Sequence, residues 1–168
     1  MLKLNRKLEY ALIAIKFVAE GRIQTSNRLV SAKEIAEGHG LSFDVLSKVL
    51  QSLTHRGILV SEHGMKGGYR LCRSLEDINL RELSEIVVGP VDIARCLQSG
   101  KSQTPCNLES NCNIKAPITR LNRRIIDFYE TILVSDLVAD SSSESYLGKP
   151  NFSTSFNVES SNAAEVLR

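Results

Sequence analysis

Cys96, Cys106 and Cys112 fall within one polar stretch, VDIARCLQSGKSQTPCNLESNCNIKAP, in a chain whose only other cysteine is Cys72. Thiolates are soft, anionic ligands suited to iron, zinc or copper(I), and a loop rich in Gly, Ser and Asn lets three of them converge on one ion or cluster. The same thiols could instead form a disulfide switch or be incidental loop groups. Upstream lies a helix-turn-helix pattern ending in the glycine-rich hairpin Ser61-Glu62-His63-Gly64-Met65-Lys66-Gly67-Gly68-Tyr69. The combination points to a DNA-binding protein whose grip is set by a metal or redox centre. An enzyme is not indicated. No glycine-rich phosphate loop follows a strand, no nucleophile elbow or carboxylate pair is present, and His39, His55 and His63 lack ligand or dyad spacing.

The elements that must position these groups follow from periodicity. Asn5 to Glu20 reads as an amphipathic helix with Leu8, Leu12, Ile15 and Ala19 at helical spacing, and Gly21 is its expected stop. Ser31 and Glu34 have the spacing of a capping box for a short helix, Ala32 to His39, and Gly40 permits a turn. Ser42 is the expected cap of a second helix, Phe43 to Arg56, with Val45, Leu46, Val49, Leu50 and Leu53 on its apolar face. Ile58 to Ser61 and Tyr69 to Cys72 have strand composition around a loop whose Gly64, Gly67 and Gly68 would allow positive φ, with Cys72 read as a small core residue. Leu80 to Val88 forms another helix before Gly89-Pro90. From Ala116 about 22 residues turn helical, with Ile118, Leu121, Ile125, Phe128 and Ile132 as a coiled-coil seam. Ile126, Tyr129, Leu133 and Leu137 make a second apolar face, so the helix is expected to pack on its own domain and on a second copy.

The resulting fold class is mainly α with a small β-hairpin wing: a winged helix-turn-helix plus a long C-terminal dimerisation helix. The expected domains are 1–89 for the DNA-binding unit, 90–115 for the cysteine-containing sensor loop, 116–139 for the dimerisation helix and 140–168 for a disordered tail. With 42% hydrophobic residues, 168 residues suffice for one compact domain and an extension, which argues against a two-domain enzyme. Charge is divided unevenly. Residues 1–73 carry 12 Lys/Arg against 6 Asp/Glu, and residues 74–168 carry 9 against 13, so a polyanion would meet the first half. Glu9 and Lys16 interrupt the opening apolar stretch, and nothing nears the roughly 18 apolar residues of a membrane span. A cytoplasmic location with no membrane partner and reduced thiols is expected. Base-edge contacts are expected from Ser42, Phe43, Asp44, Ser47, Lys48 and Gln51 near the start of the recognition helix, with Lys3, His63 and Lys66 as further DNA-facing residues.

Residues 1–139 also resemble a known family. The likeness rests on Met1-Leu2-Lys3-Leu4 with Glu9-Tyr10-Ala11-Leu12, on Ala32-x-x-Ile35-Ala36, on Leu53-x-x-x-Gly57-Ile58 and on Gly64-x-x-Gly67-Gly68-Tyr69-x-Leu71. These are similar to the Rrf-two winged-helix transcriptional regulators, of the iron-sulfur and nitric-oxide-sensing (IscR- and NsrR-like) kind. The resemblance implies a homodimer that reads a palindromic operator on double-stranded DNA. It further implies a 2Fe-2S or 4Fe-4S cluster on Cys96, Cys106 and Cys112, with a fourth ligand that differs between members. Family trios are evenly spaced by five residues, whereas nine separate Cys96 from Cys106 here and five separate Cys106 from Cys112. Lengthening a flexible loop to that extent costs only about a few tenths of a kcal/mol. Lys115 stands where some members carry a histidine ligand, and a protonated ammonium cannot ligate. The resemblance then nominates Glu9 of the partner subunit as the fourth ligand. His63 and Ser47 occupy places where such members carry an arginine and a glutamate that address DNA, which implies a different operator. The implied function is a sequence-specific regulator, a repressor, controlled by the cluster. The alternative is a cluster-free dimeric repressor switched by thiol oxidation, a small molecule or a partner protein.

Overall fold

The computed structural model describes residues 4–24, 28–64, 67–97, 106 and 111–139. Along the chain run α1 (Arg6–Gln24), α2 (Ala32–His39), α3 (Phe43–His55), β1 (Leu59–Glu62), β2 (Gly68–Leu71), α4 (Leu80–Val87), α5 (Lys115–Thr131) and α6 (Val134–Val138), with 3-10 turns at Leu75–Asp77 and Arg95–Leu97. Lys3, Lys66 and the 140–168 tail lie outside the described residues.

Asn5 opens α1, its side-chain oxygen accepting the Lys7 backbone N–H at 2.9 Å. Leu8, Ala11, Ile15 and Val18 recur three and four apart, and this stripe is no more than 2% exposed. It packs against α3, β2, α4 and α6, which makes α1 the centre of the domain. Gly21 does not stop the helix, contrary to the sequence expectation. The helix continues to Gln24, and a Cβ at Gly21 would stand 2.8 Å from Cγ2 of Val30, so the glycine serves close approach rather than termination.

The capping box of α2 is present in full. Ser31 Oγ accepts the Glu34 N–H at 3.2 Å, and the Ser31 N–H donates to Glu34 Oε2 at 2.8 Å. Arg28 reaches the other carboxylate oxygen at 2.5 Å. The backbone hydrogen bond from Ser31, followed by its hydroxyl, holds the Glu34 carboxyl below its ordinary value of 4.5. Gly40 ends the helix in the left-handed region, φ 61°. Ser42 takes the N-cap position of α3 but its side chain makes no capping bond; its backbone N–H donates to the Tyr10 hydroxyl at 3.2 Å instead. This expected side-chain cap is therefore corrected. Tyr10, buried in α1, thereby fixes the entry of α3.

Leu46, Val49, Leu50 and Leu53 bury one face of α3, while Phe43, Asp44, Lys48 and Gln51 remain exposed. The hairpin pairs Leu59↔Leu71 through Glu62↔Gly68. Val30 adds a single antiparallel bridge on the other edge of β2, exchanging both backbone hydrogen bonds with Tyr69 at 3.1 and 2.8 Å. Of the wing glycines, Gly64 alone has positive φ, 123°. Gly67 and Gly68 are needed for space: a Cβ would lie 2.3 Å from the Glu62 carbonyl oxygen in the first and 2.7 Å from that of Val30 in the second. Cys72 is exposed rather than part of the core. Its backbone N–H still reaches Ile58 O at 2.9 Å, but Ile58 and Leu59 make the core contacts at this edge.

The C-terminal region differs most from the expected single helix over 116–139. α5 ends at Thr131, Ile132 is extended (φ −94°, ψ 117°), and Leu133 forms an antiparallel bridge with Asn79. The Leu80 N–H donates to Ile132 O and the Val134 N–H to Ile78 O, each at 2.8 Å. Val134 is fully buried. Burial of Val134 beside Ile78 and the two replacement hydrogen bonds offset the break in the helix. Ile132 therefore leaves the seam proposed for it and packs on the domain core.

Ser31→Ala is expected to lower stability by about 1 kcal/mol, the ordinary worth of a lost N-cap, measured as the urea midpoint at pH 7. Because the Glu34 carboxyl is depressed in the fold, its contribution is fully present above its ordinary value and is lost as pH falls through the lower folded value. The penalty of Glu34→Ala should accordingly shrink from pH 7 to pH 3. An equal penalty at both would show that the carboxylate charge plays no part.

Candidate nucleic-acid interface and cysteine segment

The exposed side of α3 and the second wing strand meet in an open groove of about 720 Å³, lined by Phe43, Asp44, Ser47, Lys48, Gln51 and Tyr69. Five of these residues are named by the sequence reading, and the fold gathers them on one surface. Ser42 lies exposed at the head of the same helix, and His63 is exposed at the wing tip. Tyr69 is the addition. Its place follows from the Val30 bridge, which pins β2 against the core while leaving the side chain half-buried beside α3. The aromatic next to the wing glycines was the available signal in the sequence.

The groove is chemically mixed. Asp44 offers an acceptor, Lys48 a cation, Ser47 and Gln51 neutral donors and acceptors, and Phe43 an apolar ring that is 52% exposed. Asp44 in the first turn also complements the positive end of the helix. Arg70 on β2 pairs with Glu62 on β1 at 3.0 Å, bracing the hairpin across its strands.

Cys96 sits in the short turn Arg95–Leu97, Cys112 stands three residues before the start of α5, and Cys106 lies between; all three are half-buried and none is in a disulfide. Residues 98–105 and 107–110, which make up most of the loop, are outside the described residues. Among the described residues no three His, Cys, Asp or Glu side chains come together to hold a metal ion. The donor set itself fits a thiophilic iron centre: three reduced thiols on a segment long enough to bend them together. Glu9 is exposed in the first turn of α1.

What leads into and out of this segment is well defined. Asn122, 7% exposed on α5, accepts the Ile93 backbone N–H at 2.9 Å and donates to Asp92 at 3.3 Å. It thereby ties the chain just before Cys96 to the helix just after Cys112. The sequence reading passed over it, although an asparagine at the turn between Ile118 and Ile126 in an inward stripe was a usable signal. Arg81 of α4 pairs with Glu85 at 2.8 Å and also with Glu130 of α5, joining the two helices. Along the outer side of α5 and its N-cap, Ile114, Leu121 and Phe128 follow one another at intervals of seven and are 53%, 51% and 54% exposed. Ile118 and Ile125, half-buried, complete a stripe along the helix. Among the described residues no helix is long and apolar enough to cross a membrane.

Comparison with known proteins agrees with this arrangement. The family described as Rrf2, iron-dependent transcriptional regulator, matches residues 4–140. The regulator NsrR of Bacillus licheniformis is 26% identical over 137 residues, covering 82% of this chain and 92% of that protein. The regulator IscR of Vibrio vulnificus is 28% identical over 139 residues, covering 83% and 79%. Among solved structures, CymR, the global cysteine regulator of B. subtilis, superposes with a TM-score of 0.59 at 21% identity, over 83% of this chain and all of that one. It shares the winged-helix fold. These relatives are regulators, not enzymes, and the chain belongs to the Rrf2 family of DNA-binding transcriptional regulators.

Proposed function

We propose that this regulator is a cytoplasmic homodimeric repressor that grips a palindromic operator with two copies of α3, and that Cys96, Cys106 and Cys112 hold an iron-sulfur cluster controlling that grip. The observation that carries the DNA contact is the groove itself, a surface of mixed donors, acceptors and one exposed ring on a helix whose other face is buried. Ser42, Phe43, Asp44, Ser47, Lys48 and Gln51 would meet base edges. Lys3, His63 and Lys66 would meet the backbone or the minor groove. The exposed heptad of α5 supports the dimer, with Leu121 and Phe128 at its centre and Ile118 and Ile125 beside them, since a second copy would remove from water three large side chains now more than half exposed.

The iron-dependence in the family's description and three thiols on one segment support the cluster. When bound, it would supply a centre that changes charge or composition on meeting an oxidant or nitric oxide. Glu9 of the partner subunit would complete the ligand set. The chain's own residues would carry the consequence. Asn122 would transmit a displacement of the segment before Cys96 to α5, and Arg81 with Glu130 and the Leu133–Asn79 bridge would pass it to α4 and so to α3. A shift in the spacing of two recognition helices would misalign them with successive major grooves.

Affinity for an operator duplex should fall steeply between about 50 and 200 mM salt, by two to three powers of ten or more for several neutralised phosphates. Lys48→Ala should weaken binding by about 1–3 kcal/mol if its ammonium reaches a base edge. A flat salt response excludes phosphate contacts. For the dimer, Ile125→Glu with Phe128→Glu should reduce a native mass near twice 18.6 kDa to that of one chain, because burying the two carboxylates costs several kcal/mol. A wild type already monomeric at micromolar concentration would refute the seam. For the cluster, anaerobically purified protein should be brown and contain iron and sulfide, and each Cys→Ala change should remove the visible absorption. Glu9→Ala should leave a coloured, less stable centre. Colourless, iron-free protein whose response depends on the cysteines would identify a thiol switch instead.

A further inference from the structure

We infer that Phe43 reads the 5-methyl group of a thymine in the major groove, so that part of this regulator's sequence choice is hydrophobic. The inference rests on the operator-binding reading of α3 and assigns one contact within it. Phe43 is the first residue of α3, at the end of a recognition helix that normally meets bases, and it lines the groove with Ser47, Lys48 and Gln51. Its ring is 52% exposed although Leu46 and Leu50, three and seven residues further on and so on the same side of the helix, are fully buried. Folding thus leaves the ring in water while an apolar core is within one helical turn. Asp44, Ser47, Lys48 and Gln51 beside it are polar, and the other ring lining the groove, Tyr69, is half-buried, so Phe43 is the exposed aliphatic or aromatic group at the head of the helix.

The partner is fixed by chemistry. The edges of the major groove present donors and acceptors at every base pair, and the one apolar group among them is the thymine methyl. A phenyl ring carried into that groove between Asp44, Lys48 and Gln51 gains only where it covers such a methyl; opposite a cytosine amino group or a guanine carbonyl it would desolvate a polar atom without replacing its hydrogen bond. The neighbouring polar side chains hold the register through hydrogen bonds, which places the ring against one base pair in each half-site. Covering one methyl is worth about 0.8 kcal/mol, or roughly fourfold in affinity for each half-site.

The operator sequence itself is not required for the test. A pool of duplexes with a random core of about 30 base pairs, long enough for two half-sites one helical turn apart, is enriched on the wild-type protein. Each thymine of the most enriched duplex is then replaced in turn by uracil, which removes only the methyl. The expected result is one thymine per half-site whose replacement weakens wild type by roughly fourfold, as the burial of one methyl group requires. Phe43→Ala should bind the thymine and uracil duplexes equally, and Phe43→Leu, still apolar, should keep most of the preference. If wild type is indifferent to every replacement, or Phe43→Ala keeps the same preference, the methyl contact is wrong while DNA binding stands. If no duplex is enriched at all, both this contact and the operator-binding reading fall.

Discussion

Two backbone hydrogen bonds, Leu80 to Ile132 and Val134 to Ile78, decide how the C-terminal helices sit on the rest of the molecule. They break what periodicity alone would make a single long helix, and they return the chain to the winged domain at the root of α4. A helix joined to a domain only by a flexible loop would be free to rotate. One fastened at its C-terminal end by this bridge, along its length by the Arg81–Glu130 pair, and near its start by Asn122, keeps a fixed direction. The exposed side of α5 is thereby given a constant orientation relative to α3. The surface ion pair adds little on its own, so direction is set by the backbone bridge and by Val134.

The same economy governs the winged half. The α1 stripe of Leu8, Ala11, Ile15 and Val18 is a wall against which α3, β2 and α4 are all laid. Tyr10 from that helix reaches the Ser42 N–H, and Val30 pins Tyr69. The two elements that bound the groove are each tied to the core by hydrogen bonds through the backbone, which leaves side chains such as Phe43 and Lys48 free for a partner. Rigid elements carrying exposed side chains suit reading a surface as regular as a duplex.

Much of this was legible in the sequence. Ser31 and Glu34 at capping-box spacing, the apolar face of α3 and the glycine-flanked hairpin all carry local signals, and local signals survive folding. What escaped depends on contacts distant in sequence. Gly21 resembles a helix stop but is small because Val30, nine residues on, packs against it. Cys72 reads as a core residue by type and is exposed because Ile58 and Leu59 take the core positions at that edge. The break at Ile132 cannot be seen in its own stretch, since its cause is pairing with Ile78 and Leu80, some fifty residues earlier. Asn122 and Tyr69 were missed for a related reason: each looks like an ordinary member of a helix or strand until its partners are known.

The long interval between Cys96 and Cys106 gains a physical sense from the points that flank it. Asn122 grips Asp92 and Ile93 before the first cysteine, and α5 begins three residues after the last, so both ends of the segment rest on one helix. Closure of the loop is therefore already accomplished by the fold, and additional residues between fixed ends raise the entropic cost only logarithmically. Lengthening the first interval changes the path of the chain more than the energy of bringing the thiols together. The span that carries the thiols is thus anchored by a buried amide at one end and a helix start at the other, both belonging to α5.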